Sequence, residues 1–233
     1  MEKLVHLLWR NDTHDEQAHR DQLIGELSVA LLSSPAGIAQ LEVLTGDTAE
    51  AIPRPPLLLG KGPDLASAVV AWVDCIDDRR SILEVLAAAL GTTGVVDQYL
   101  VTESVPQRFA GRDWPDGVTT PGVTHFSWFP KPDRLTDAEF FHGWHEVHTP
   151  STPALHPLRR EYVRDSVARV LTEGSPPVRA VVAERFAPIG DYTDPKRLYG
   201  SKEAMEESGT GLALYADFES LNCRPMFQTI IRG

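Results

Sequence analysis

The order in which strand and helix signals recur constrains the fold of this chain more than any single motif. Residues 3–10 (KLVHLLWR) alternate like a strand. Asn11, Asp12 and Thr13 then offer turn and N-cap chemistry. A helical pattern runs over 15–32 until Ser33, Ser34 and Pro35 break it. Strands are predicted over 38–45 and 66–74, on either side of a proline-rich loop at 51–64. Residues 77–90 read as a second helix, stopped by Gly91, and 95–104 as a fourth strand. The same order then starts again. Residues 123–129 (VTHFSWF) read as a strand, 136–148 as a helix, and 160–170 and 178–186 as strands. A long helical or irregular stretch reaches residue 221, and 226–231 form a last strand.

Two echoes support duplication. His6-Leu-Leu-Trp9 matches His125-Phe-Ser-Trp128, and the tetrapeptide AVVA occurs at 68–71 and again at 180–183. A β-α-β-β-α-β plan is a ferredoxin-like unit, whose sheet carries helices on one face only. The predicted fold is therefore α+β: two tandem ferredoxin-like βαββαβ units, 1–104 and 122–233, forming an intrachain pseudo-dimeric α/β barrel. Residues 105–121, rich in Pro and Gly, read as the linker. A small ligand is expected in the space between the two sheets.

Composition narrows the function. A net charge of −11 opposes binding to phosphate backbones and anionic membranes, so neither nucleic acid nor a membrane is an expected partner. Two cysteines, Cys75 and Cys223, make no disulfide framework or CxxC site. Cys75 is expected to be buried on the third strand and Cys223 to lie in a late loop, without a histidine partner for a thiol nucleophile. No apolar run reads as a signal peptide or a span, so the expectation is a cytoplasmic protein. No GxGxxG, GxxxxGKS or GxSxG motif points to a nucleotide fold or an α/β-hydrolase.

Chemistry concentrates in LTDAEFFHGWHEVHTPSTPALHPLRREYV, 135–163, where His142, His145 and His148 share one helix arc of roughly 120°. Imidazole titrates near neutral pH and suits proton transfer. His148 is read as the general acid or base, with His145 or His125 assisting. The plainer reading has His148 capping the helix C-terminus. Tyr162, at the start of a strand, either donates to a ligand oxyanion or is a half-buried strand tyrosine. On the strand 123–129, His125 and Ser127 share a face opposite Phe126 and Trp128. The bulk of Phe126 and Trp128 suits packing under helices, which would turn His125 and Ser127 into the inter-sheet cavity. His6 would enter the same cavity from the opposite sheet. Trp128 reads mainly as core, Trp144 as an anchor of its helix and Asp217 as a surface carboxylate; all three are also candidate substrate contacts, beside His6 and Ser127. Arg159, Arg160 and Glu161 read as a solvated, charge-balanced stretch. A zinc reading of His-x-x-His-x-x-His is weaker, because zinc usually draws its ligands from separated elements.

The run Thr136-Asp-Ala-Glu-Phe140, Trp144, His148, Pro150, Pro157-Leu158 and Tyr162-Val163 resembles the first-helix signature of the EthD-like family. Ala183-Glu184-Arg185-Phe186 is similar to that family's third strand, and Ala216-Asp217-Phe218 to its motif near the end of the second helix. The likeness spans roughly 122–233. The first half keeps Val101-Thr-Glu-Ser104 but has Gly25 or Leu27 where the family's histidine would fall, so a single site is expected. The resemblance implies the dimeric α/β-barrel superfamily, whose members include isomerases, polyketide cyclases, cofactor-free monooxygenases and haem peroxidases. It therefore implies fold more than reaction. The expected function is a cofactor-independent lyase or isomerase working by histidine acid/base chemistry on a small aromatic or polyketide-like molecule. The alternatives are a cofactor-free oxygenase, a haem-binding protein and a non-catalytic binding module. The chain is expected as a monomer (pseudo-dimer) or a homodimer.

Overall fold

A computed structural model describes residues 1–9, 15–53, 55, 65–90 and 95–233. The expected N-cap at Asn11–Thr13, the stop at Gly91 and most of the proline-rich loop lie outside the described residues. Among the described residues, eight strands form one closed antiparallel barrel: β1 (Glu2–Trp9), β2 (Ile38–Thr45), β3 (Leu65–Val73), β4 (Val96–Gln107), β5 (Val123–Pro130), β6 (Arg159–Val170), β7 (Val178–Phe186) and β8 (Asn222–Arg232). Their order around the barrel is β1-β3-β2-β8-β5-β7-β6-β4. Thus β4-β1-β3-β2 and β8-β5-β7-β6 carry the same internal order, joined at two seams, β2–β8 and β4–β6.

Helices cover two outer faces of the barrel. α1 is made of Glu16–Gln22, a π segment Leu23–Leu27 and Ser28–Leu32, and is capped by Asp15 accepting from the Ala18 N–H. α2 (Arg80–Leu90) follows a 3-10 turn, Ile76–Arg79. Leu23, Leu27 and Leu31 of α1 and Ile82 and Leu86 of α2 fill the first face against Leu4, Leu8, Val43 and Val69.

The second face carries α3, made of Asp137–Phe141, a π segment His142–His148 and Thr149–Leu155. Its start is the expected capping box: Thr136 accepts from the Glu139 N–H and the Glu139 carboxylate accepts from the Thr136 N–H. The helix does not end before Pro150. At the end of the π turn Trp144 O accepts from both the Thr149 N–H and Thr149 Oγ1 (2.8 Å), and Pro150 falls in the first turn of the segment that follows, where proline is tolerated. The stretch leading to β8 holds three more helices, α4 (Gly190–Thr193), α5 (Pro195–Tyr199) and α6 (Lys202–Ala213). Among the described residues, no helix is long and apolar enough to cross a membrane.

Alternation along the strands gives the barrel a two-ended interior. One end is apolar: Trp9 meets Trp128 edge-on at 5.9 Å, beside Phe126, Tyr99, Val181 and Met226. The other end is charged. Lys3 sits between Glu103 (2.8 Å) and Asp165 (2.9 Å), with Glu42, Glu161 and Arg185 nearby. The residues after β4 lie along β8, where Gly117 N–H donates to Ile230 O and Thr120 N–H to Gln228 O. Phe109 and Trp114 are thereby placed against the Arg185 guanidinium, at 3.9 and 5.4 Å.

This arrangement reverses one expectation. Phe126 and Trp128 point into the barrel, and His125, Ser127 and Phe129 face the helices. Closing eight strands leaves an interior that large side chains must fill. The bulky residues are needed there, not under α3.

Candidate functional site

A cavity lined by several of the predicted site residues lies between the outer face of β5, β6 and β7 and the helices α3 to α6, not between the two half-sheets. It encloses about 290 Å³. β5 contributes His125 and Ser127, α3 contributes His148, and His156 follows α3. β6 supplies Tyr162 and β7 supplies Glu184, while Tyr192, Tyr199 and Tyr215 close the far side.

His148 is 7% exposed, and its Nδ1 has no hydrogen-bond partner. Burial outweighs the nearby Glu184 carboxylate and lowers its pKa to about 4, so the imidazole is neutral at physiological pH. Its ring packs on Tyr215 at 5.3 Å. Gly211 makes that position possible, since a Cβ there would fall 2.6 Å from His148 Nδ1.

Opposite lies an ion pair. Glu184 accepts from Arg159, whose side chain is 1% exposed and is also held by Thr152 Oγ1 (2.8 Å) and Gln107 Oε1 (3.0 Å). Burial pushes the Glu184 carboxyl up, but Arg159, His156 and His125 outweigh it and bring its pKa to about 2. The cavity thus contains a fixed negative charge. His156 bonds Leu198 O through Nδ1 (3.2 Å), and burial moves its pKa down. His125 shifts the other way: burial pulls it down, but Cys223, which hydrogen-bonds it, and Glu184 together raise it. Its Nδ1 also meets the Tyr192 hydroxyl at 3.1 Å. Two imidazoles in one cavity are therefore displaced in opposite directions, the pattern that separates a base from an acid.

Four of the predicted site residues come together here: His125, Ser127, His148 and Tyr162. The Tyr162 hydroxyl already accepts from Trp144 Nε1 at 3.3 Å and bonds Thr149. The other five lie elsewhere. His6 is fully buried under α1 and α2, held by Val69 O (3.0 Å) and Gln98 (2.8 Å) through its two ring nitrogens, so it does not share a cavity with His125. Trp128 is in the barrel interior and Trp144 is in the core under α3. Asp217 is exposed and paired with Arg134 at 3.0 Å. His145 lies outside the cavity lining, stacked on Trp144 at 4.6 Å and Phe141 at 5.1 Å, with its pKa lowered to about 4 by burial and Arg164. His142 is exposed beside Glu146 (2.9 Å). The three histidines diverge because the π segment changes the angle between successive residues from its α-helical value.

Sequence reasoning missed Arg159, Glu184 and His156. It also exchanged the two cysteines. Cys75 is exposed after β3, while Cys223 is buried on β8 with His125 as its partner. Among the described residues, no group of three His, Cys, Asp or Glu side chains is arranged to hold a metal ion.

No protein-family model matches the chain, and no curated protein does. Solved structures do. The chain is similar to an anthrone oxidase-like protein at 12% identity and a TM-score of 0.62, covering 99% of this chain and 93% of that one. It is similar to a candidate monooxygenase from Lactobacillus acidophilus NCFM at 12% identity and a TM-score of 0.50, covering 100% and 98%. It is also similar to a dye-decolorizing peroxidase from Bacteroides thetaiotaomicron VPI-5482 at 9% identity and a TM-score of 0.53, covering 98% and 92%. At such identities the likeness shows the fold alone: an α+β antiparallel barrel of the ferredoxin-like α/β-barrel kind.

Proposed function

We propose that this chain is a cofactor-independent enzyme that moves a proton on a small aromatic or polyketide-like molecule held beneath α3. The observation that carries this reading is His148, a buried neutral imidazole whose Nδ1 is unpartnered at the wall of an aromatic-lined cavity. A neutral imidazole accepts a proton from an acidic C–H or O–H. As negative charge develops on the substrate, the shielded imidazolium becomes easier to form. His125, shifted toward its protonated form, is placed to stabilise that charge or return the proton. Glu184, fixed by Arg159, keeps His125 and His156 in a negative field. The Tyr162 hydroxyl is engaged with Trp144, so Tyr199 is better placed as a donor to a ligand oxygen. Dehydration, decarboxylation, cyclisation and isomerisation all begin with such a transfer.

The repeated strand order also supports reading the chain as two fused ferredoxin-like units, 1–104 and 122–233, with the EthD-like residues in the second. The cavity on the second outer face is lined by His148, Tyr162 and Glu184, all within the EthD-like stretch, which supports a site in the second unit.

Solvent deuterium exchange tests the proposal without knowledge of the product. Hydroxylated aromatic ketones incubated with the protein in D2O should gain deuterium at their acidic carbon, as followed by NMR. The His148→Ala and His125→Ala variants should each slow that gain. Exchange that continues unchanged in both variants would refute the assignment. A cofactor-free oxygenase is the second reading, favoured by the apolar aromatic lining around the base, where an electron-rich anion would meet oxygen. Oxygen uptake during turnover separates the two. Haem fits poorly: His148 or His156 would be the axial ligand, but about 290 Å³ is roughly the room of a few fused rings.

A further inference from the structure

The charged end of the barrel holds a second, separate cavity of about 160 Å³, lined by Lys3, Glu42, Thr124, Glu161, Asp165 and Arg185 among others. Two of its walls carry polar atoms with nothing to bond. Arg185 is 3% exposed; its Nη1 donates to Pro121 O (3.3 Å) and its Nε faces Glu161 (3.7 Å), but its Nη2 has no partner. Thr124 is 2% exposed, and its Oγ1 has no partner either. Buried donors left unpaired are costly, so their presence together in one cavity calls for an acceptor between them.

The acceptors on the opposite walls are also incompletely matched. Lys3 is taken up by Glu103 and Asp165. That leaves Glu42, which accepts from the neutral Gln228 amide (2.9 Å) and shares the Lys3 charge with those two carboxylates, and Glu161, which accepts from the Phe109 N–H and has Arg185 at 3.7 Å and Arg108 as its cations. Burial outweighs these partners and raises the pKa of both carboxyls, so each would gain from a further cation. Trp72 and Phe126 supply an apolar floor, and Glu103 and Arg108 stand at the exposed rim.

We infer that this barrel cavity binds a small zwitterion of the amino-acid class, its carboxylate on Arg185 Nη2 and Thr124 Oγ1 and its ammonium on Glu42 and Glu161. Such a ligand supplies an acceptor to the unpaired donors and a cation to the under-matched carboxylates without adding net charge. A simple anion would face Glu42 and Glu161, and a simple cation would leave Arg185 and Thr124 unpaired. The site is independent of the His148 cavity, which lies on the outer side of the same sheet.

Saturation-transfer NMR on the full chain tests this. Glycine, alanine, serine and γ-aminobutyrate are the probes, and propylammonium and propionate are the half-ligands. At least one amino acid should bind saturably, and neither half-ligand should match it. Thr124→Val, nearly isosteric, and Glu42→Gln should each weaken that binding about tenfold and leave deuterium exchange at the His148 site unchanged. If no amino acid binds, if a half-ligand binds as well as the zwitterions, or if Thr124→Val binds like wild type, the inference is wrong. A crystal structure grown with the best probe that shows only water in the cavity would also overturn it.

Discussion

Replacing His148 by glutamine should make the protein less sensitive to acid. An unfolded histidine titrates near 6.5, but His148 in the folded chain titrates at about 4 because burial disfavours its charge. Between those values the unfolded chain binds a proton that the native chain does not. The stability contributed by the neutral imidazole is therefore complete above pH 6.5 and is lost as pH falls toward 4. Linkage puts the loss at about 2 kcal/mol by pH 5 and about 3 kcal/mol below pH 4. For a chain of this size, about 2 kcal/mol is roughly 4–8 °C in Tm. His148 Nδ1 makes no hydrogen bond, so glutamine gives up none there. The assay is thermal or urea unfolding of both proteins at pH 7 and pH 5, and the quantity read is the difference between their two losses. His6, also near 4, and Asp165, raised to about 6 and acting with the opposite sign, contribute equally to both proteins and cancel. If wild type and variant lose the same stability between the two pH values, His148 is not a buried neutral imidazole, and its role as base falls with that.

Three further substitutions probe the surroundings. Arg159→Met strands the Glu184 carboxylate without its cation and should cost about 3–5 kcal/mol in urea unfolding. Gly211→Ala should suppress deuterium exchange by forcing His148 aside, although alanine improves helix propensity by about 1 kcal/mol; unchanged exchange would show that His148 does not need that space. Gly122→Ala combines a φ of 98° with a Cβ 2.0 Å from Phe186 O, and should lower stability by more than about 2 kcal/mol in calorimetry.

The strand and helix order was legible because alternation and capping are local. β2 and β7 fall where the pattern puts them, and the Thr136–Glu139 box opens α3. The pairing of His125 with Ser127 on one face was legible for the same reason. Which face turns inward was not, because that depends on the volume a closed barrel must fill, a property of all eight strands. The Arg159–Glu184 pair spans 25 positions, and no local pattern joins its members. One signal did exist: Val178, Ala180, Val182, Glu184 and Phe186 share a strand face, and a lone carboxylate on an apolar face requires a cation. Cys223 was misplaced because β8 begins four residues earlier than its hydrophobic run implies.

The position of β8 bears on how the chain acquires its shape. This strand pairs with β5 on one side and with β2 on the other, where Gln228 meets Glu42 across 186 residues of sequence. The sheet of the second half and the closed barrel both wait for that last strand, and the second seam, β4 with β6, also joins the two halves. Contacts this distant in sequence carry their loop-closure entropy before they return any stability, which makes this a slow-folding topology. Closure of the β2–β8 seam is then the natural late step, and a chain stalled before it would present β2 as an unpaired edge to its neighbours.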